Sequence, residues 1–271
     1  MDKVKALAKS ILFGAIMLLF LILSAIIAKA LKLSANRTYI FQGSCMLLST
    51  AVPLFYIGIK NIKYRDVGWN KPTHDSLMHK FYYIPFVIAL FFLLIDVKST
   101  SNYKGLIVMM YFYGCLAIAA EIYFRGLIQH FLRGKFNIIF LVIICGLLFA
   151  ACNMHYFKRV TYTKHILVFV AGSGAFAGVA TMVMENKGHI IGTIILNALY
   201  FFLSANYIPE GKRMLLAQGL CWGILLAYGL LMLIPYMKEN KKAKKLEEQA
   251  NEETIEASEE GFDEEGNMTI E

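Results

Sequence analysis

Charge is costly inside an apolar helix, so ionisable groups within apolar stretches are the first places to look for chemistry. One cluster stands out: Ala120-Glu121-Ile122-Tyr123-Phe124-Arg125-Gly126. Glu121 and Arg125 are spaced i, i+4, share a helix face and can pair. Their spacing leaves two readings open: a structural ion pair that neutralises two buried charges, or part of a reaction or ligand site. Two asparagines come next. Asn153 lies in Phe149-Ala150-Ala151-Cys152-Asn153-Met154-His155, and Asn197 in Ile194-Ile195-Leu196-Asn197-Ala198-Leu199-Tyr200-Phe201. Each amide needs partners in lipid, and taken singly each reads as glue between helices. Gly172, Gly174 and Gly178 share one apolar stretch. Gly174 and Gly178 make a GxxxG, a pattern that permits close helix packing.

The elements that hold these residues follow from hydropathy. The chain has 271 residues, 58% of them hydrophobic, above the roughly 45–50% of soluble domains. Apolar stretches fall near 11–30, 40–59, 81–97, 106–132, 138–156, 165–184, 189–205 and 214–237. About 20 helical residues span a hydrocarbon core of about 30 Å. Backbone groups in lipid must bond within their own segment, which selects helices. Strand-like alternation in ten-residue blocks is absent, which argues against a β-barrel. The expected fold is an all-α polytopic membrane helix bundle of about eight transmembrane helices. The long fourth stretch is expected to end in an interfacial turn. Pro53 and Pro85 read as single kinks that packing absorbs.

Cys45, Cys115, Cys145, Cys152 and Cys221 sit singly in apolar stretches, with no CxxC or metal spacing. They read as small packing residues, and neither metal nor cofactor is expected. Net charge is +8, from 27 bases and 19 acids. Residues 247–271 hold eleven of those acids and no base. Residues 1–245 therefore read as one membrane domain and 246–271 as an acidic, disordered cytoplasmic tail. Loop bases number sixteen on the side of the N-terminus and ten on the other, placing both termini in the cytoplasm. The flank Lys238, Lys241, Lys242, Lys244 and Lys245 is a strong local anchor on that side. A cleaved signal peptide is the rival reading of residues 1–30, with Ala28-Lys29-Ala30 as its small-residue pattern. Its apolar run exceeds the usual signal core of about 7–15 residues, which favours an uncleaved first span.

The order Glu-x-x-x-Arg-Gly, then Phe-x-x-x-polar, then a Gly-rich helix, then a last polar residue in an apolar span resembles the CPBP family. That family includes the CAAX prenyl proteases and the bacterial Abi, or bacteriocin-immunity, membrane proteins. The motifs cover about residues 106–205, and the eight-span layout agrees over the membrane part. The family's first motif has two adjacent Glu, three residues, then Arg; here Ala120 replaces the first Glu and Glu121 and Arg125 remain. The second has Phe, three residues, then His; Phe149 is followed by Asn153. The third has His, three residues, then Asn; Asn197 and Phe201 hold that register.

The resemblance implies that the first Glu and the motif-two His activate water, while the third-motif His and Asn stabilise an oxyanion. Ala120 accepts no proton, Asn153 is a neutral amide, and Phe201 offers no polar atom. Only Asn197 retains a donor. Glu121 is turned about 100° from position 120, and His155 about 200° from Asn153, on an ideal helix. His189 precedes Asn197 by about 12 Å along the axis. The resemblance therefore points to a catalytically degenerate CPBP-like protein of a Gram-positive-like plasma membrane. It would bind or regulate a membrane-protein or peptide partner of the cell envelope, with the lipid bilayer as its medium and no nucleic-acid partner. The alternative is an active CAAX-type intramembrane endopeptidase using Glu121. A small-solute transporter is the second alternative, against which stands the lack of a convincing internal repeat.

Overall fold

A computed structural model describes residues 2–69, 83–93, 103–152, 163–185, 189–205, 216–217, 219–234 and 238. Among these, every regular element is helical. Three helices are long and apolar enough to cross a membrane: Asp2–Ala30, Ala35–Ile59 and Gly105–Leu132. Shorter apolar helices span Ile138–Cys152, Ile190–Leu203 and Gly219–Ile234. The expected all-α membrane bundle is the observed fold. The tail 246–271 lies outside the described residues. The chain divides into two compact units, Met1–Gly229 and Leu230–Glu271, and the packing below belongs to the first.

Helix α1 (Asp2–Ala30) begins well before the expected residue 11. Ala6 and Ser10 already face the interior while Lys3, Lys5 and Lys9 stay exposed, so one helix serves both the bundle and its basic end. Phe13 anchors α1, with ring centroids 5.1 Å from Tyr56, 5.7 Å from Phe131 and 6.4 Å from Tyr123. Ala28, in the signal-like pattern, is buried within the same helix.

The stretch 40–59 is two helices, α2 (Ala35–Ser49) and α3 (Ala51–Ile59), meeting at Thr50. Pro53 explains the break, since it has no N–H to give the carbonyl four residues back. That carbonyl, on Ser49, instead accepts the Tyr123 hydroxyl at 2.9 Å. Helix α4 (Ile84–Phe92) carries Pro85 in its first turn, where a missing N–H costs nothing, so Pro85 starts a helix rather than kinking one.

The fourth stretch departs most from expectation. Helix α5 (Tyr103–Glu121) passes into a π-helical segment, Ile122–Ile128, and then a short helix α6 (Gln129–Leu132). The Gln129 N–H donates to Phe124 O, five residues back, the signature of π winding. The run is thus one helix, long and apolar enough to cross a membrane, with its winding changed toward its C-terminal end. The remaining helices of this unit include α7 (Ile138–Cys152), α8 (Thr163–Glu185) and α9 (Ile190–Ala205).

Glycine sets the closest approach. A methyl built on Gly146 of α7 would stand 2.9 Å from Gly174 O of α8, and one on Gly178 would meet Val142 at 3.1 Å. The Gly174–Gly178 pair therefore packs α8 on α7, as its spacing suggests. Its partner Gly146 carries no pattern of its own. Between α4 and α8, Phe86 meets Phe176 edge-on at 5.3 Å.

Candidate active site

Glu121 ends α5, and the π segment that follows places Arg125 on the same side. Both side chains are buried, with Arg125 Nε 3.5 Å from Glu121 Oε2. The i, i+4 pairing read from the sequence is present, as an ion pair without a hydrogen bond. The second oxygen is better served: Asn197 Nδ2 donates to Glu121 Oε1 at 2.8 Å. Helix α9 thus delivers its buried amide to the one carboxylate that is fully buried among the described residues. Thr193, a turn before Asn197 on α9, neighbours the same carboxylate, and its hydroxyl donates to Ile190 O at 2.9 Å.

The guanidinium of Arg125 lies over the Phe149 ring, 5.1 Å from its centroid. A cation over an aromatic face gains about 2 kcal/mol or more when desolvated. Even so, among the described residues none of its three nitrogens finds a hydrogen-bond partner, and Glu121 Oε2 and Asn197 Oδ1 find none either. The charges balance while the hydrogen-bond capacity is underused.

Aromatic rings fill the surroundings. Phe149 stacks on Phe201 at 6.0 Å with planes 6° apart, and meets Phe124 edge-on at 5.2 Å. Tyr200 stacks on Phe176 at 4.6 Å. Phe201, where the resemblance expects a polar residue, therefore packs its ring on Phe149. Ala120 is fully buried and supplies only a methyl. Asn153 and His155 lie outside the described residues. His189 stands at the start of α9, where its Nδ1 accepts the Ile191 N–H at 3.1 Å. Its backbone N–H donates to Tyr83 Oη at 2.8 Å, and Tyr83 Oη donates to its carbonyl at 3.1 Å. Those bonds make it a helix-start residue, with both ring and backbone engaged there.

The structure adds polar residues that the sequence reading did not single out. Gln129, buried one turn beyond Arg125, donates to Glu185 Oε1 at 2.6 Å and to Thr181 O at 3.1 Å. Arg133 closes the group, with Nη2 2.8 Å from Glu185 Oε1 and Nη1 donating to Asp66 O at 3.1 Å. The available signal was the four-residue step from Glu121 through Arg125 and Gln129 to Arg133. Among the described residues no group of three or more His, Cys, Asp or Glu gathers to hold a metal.

Comparison with known proteins locates the resemblance. No curated protein and no solved structure matches the chain. Residues 101–203 match a protein family described as Rce1-like, type II CAAX prenyl endopeptidase. That segment holds α5, the π segment, α6 through α8 and all but the last two residues of α9, and with them Glu121, Arg125, Phe149, Asn197 and Phe201. Over residues 101–203 this membrane protein is accordingly similar to the Rce1-like type II CAAX prenyl endopeptidases.

Proposed function

We propose that this CAAX protease-like membrane protein is catalytically degenerate, and that it binds or regulates a membrane-protein or peptide partner. The observation that carries this reading is the stacking of Phe201 on Phe149 beside the buried Glu121–Asn197 pair. Attack by water needs a base with room for the water, and donors aimed at the oxygen that becomes charged. Here rings occupy that room, Ala120 has no proton acceptor, and the Asn197 amide is spent on the carboxylate. Catalytic groups act as a unit, so losing one removes most of the rate. The protein sits in the plasma membrane with both termini in the cytoplasm, the side with the larger share of Lys and Arg.

The test is cleavage of prenylated and transmembrane peptides by the purified protein in lipid. No cleavage is expected, and Glu121→Gln should preserve any cellular phenotype that rests on binding once it is scaled to the amount of protein in the membrane, since the change leaves Arg125 unpaired. Cleavage by the wild type, abolished by Glu121→Gln at unchanged protein level, would overturn the proposal. The same contact that supports degeneracy also favours one rival. Glu121 and Asn197 at 2.8 Å are a carboxylate and an amide donor side by side, the minimum from which a Glu121-dependent endopeptidase could work.

A further inference from the structure

The turn that follows α3 is rigid, basic and aromatic. Ile59 and Phe55, on the last turns of α3, are exposed apolar residues of the kind that face lipid. The chain then leaves the helix at Lys60 and folds into a 3-10 turn, Tyr64–Val67. Gly68 takes a left-handed φ of 86°, and the Trp69 N–H donates back to Tyr64 O at 3.0 Å. Val67 is fully buried beneath the turn, and Gly68 O accepts the Ile190 N–H at 3.1 Å. Arg133 holds the Asp66 carbonyl from the other side.

Three bases and two aromatic rings project outward from this backbone. Lys60, Lys63 and Arg65 are exposed, as are Tyr64 at 62% and Trp69 at 39%. Asp66 is exposed on the same turn, so the local excess is two positive charges. Arg133 adds nothing to it, since Glu185 already takes its charge. No described residue forms an ion pair with Lys60, Lys63 or Arg65. Bases interleaved with Tyr and Trp, at the end of an apolar helix, are chemically matched to the headgroup layer: the rings prefer the interface, and the cations prefer anionic phosphate.

We propose that the turn Lys60–Trp69 binds the headgroup of an anionic phospholipid, with Lys60, Lys63 and Arg65 taking the phosphate and Tyr64 and Trp69 setting the depth. A flexible basic loop would give diffuse attraction. This turn is held by main-chain bonds, Asp66 N–H to Lys63 O and Trp69 N–H to Tyr64 O among them, and by a buried valine, so the backbone that carries its charges is fixed. It also lies against the π segment: a methyl on Gly126 would stand 3.8 Å from Val67 O.

The chain contains two tryptophans, Trp69 and Trp222, so Trp69 can report on its own lipid contacts once a Trp69→Phe protein supplies the Trp222 background. In phosphatidylcholine nanodiscs containing phosphatidylglycerol, brominated phosphatidylglycerol should quench Trp69 more than brominated phosphatidylcholine at the same mole fraction. Lys60→Gln, Lys63→Gln and Arg65→Gln should each lower that preference, by about fivefold per charge at most. Quenching by brominated phosphatidylcholine should stay unchanged in these variants, showing that the turn still sits at the interface. Equal quenching by both lipids in the wild type would overturn the proposal. So would loss of the preference on adding inorganic phosphate alone, which would assign the charges to a free anion.

Discussion

Asn197 and Glu121 are 76 residues apart and are joined by a 2.8 Å hydrogen bond from Nδ2 to Oε1. The bond ties α9 to the end of α5, where the winding changes. In a buried setting, losing it exposes no water that could take the amide's place. Asn197→Leu should therefore destabilise the protein by about 1–3 kcal/mol, the cost of an orphaned buried acceptor. Asn197→Asp should be worse, because it puts a second carboxyl group against the first. Melting in detergent micelles compares the two. A Leu variant as stable as the wild type would show that the contact contributes nothing.

Arg125 balances Glu121 at 3.5 Å. Removing one partner leaves an uncompensated buried charge, a loss on the order of 3–5 kcal/mol. Arg125→Ala should lower membrane protein levels more than Glu121→Ala combined with Arg125→Ala. The pairing is refuted by a double variant clearly less abundant than either single one.

Tyr123 donates to the Ser49 carbonyl that Pro53 leaves without a helical partner. Tyr123→Phe should cost about 1–3 kcal/mol. In a Pro53→Ala background the same change should cost less, since residue 53 then has an N–H for that carbonyl. Equal costs in the two backgrounds would separate the proline from the tyrosine.

Gly146 and Gly174 let two backbones approach where a methyl would stand 2.9 Å from a carbonyl oxygen. Gly146→Ala should destabilise by about 1–3 kcal/mol through overpacking. Gly178→Ala should cost less, because Val142 is a side chain that can give way. A reversed order in thermal melts would contradict this reading of the α7–α8 contact.

Residues 1–30 should remain in the mature protein, because Phe13 and Ala28 are packed inside the bundle. The intact mass of protein purified from membranes checks it, and a mass lacking this segment would show cleavage. Cysteines placed singly in 247–271 should resist labelling from outside intact cells. Efficient labelling there would reverse the proposed orientation.

The all-helical bundle was legible because hydropathy alone points to it: a run as apolar and as long as Asp2–Ala30 fits a bilayer crossing. The Glu121–Arg125 contact was legible for a related reason, since two charges that close in an apolar run need each other. The π segment was not. Nothing in Ile122-Tyr123-Phe124-Arg125-Gly126-Leu127-Ile128 distinguishes π from α winding by composition, and the difference arises from what packs around it. Gln129 escaped notice because an amide at a helix end reads as solvated. Glu185, which bonds it, lies 56 residues on. The reach of Asn197 to Glu121 was likewise hidden, because two motifs read separately carry no register between their helices.

The bond from Tyr123 to Ser49 has a mechanical consequence. Two irregular places in the helical ladders, the break after α2 and the start of the π winding, are fastened to each other. Either could act as a hinge or a slip plane if it stood alone. Fastened, neither can move without stranding a carbonyl where no solvent reaches. Sliding of the α2–α3 pair past the helix that carries Glu121 thereby costs about 1–3 kcal/mol, the loss of that buried bond.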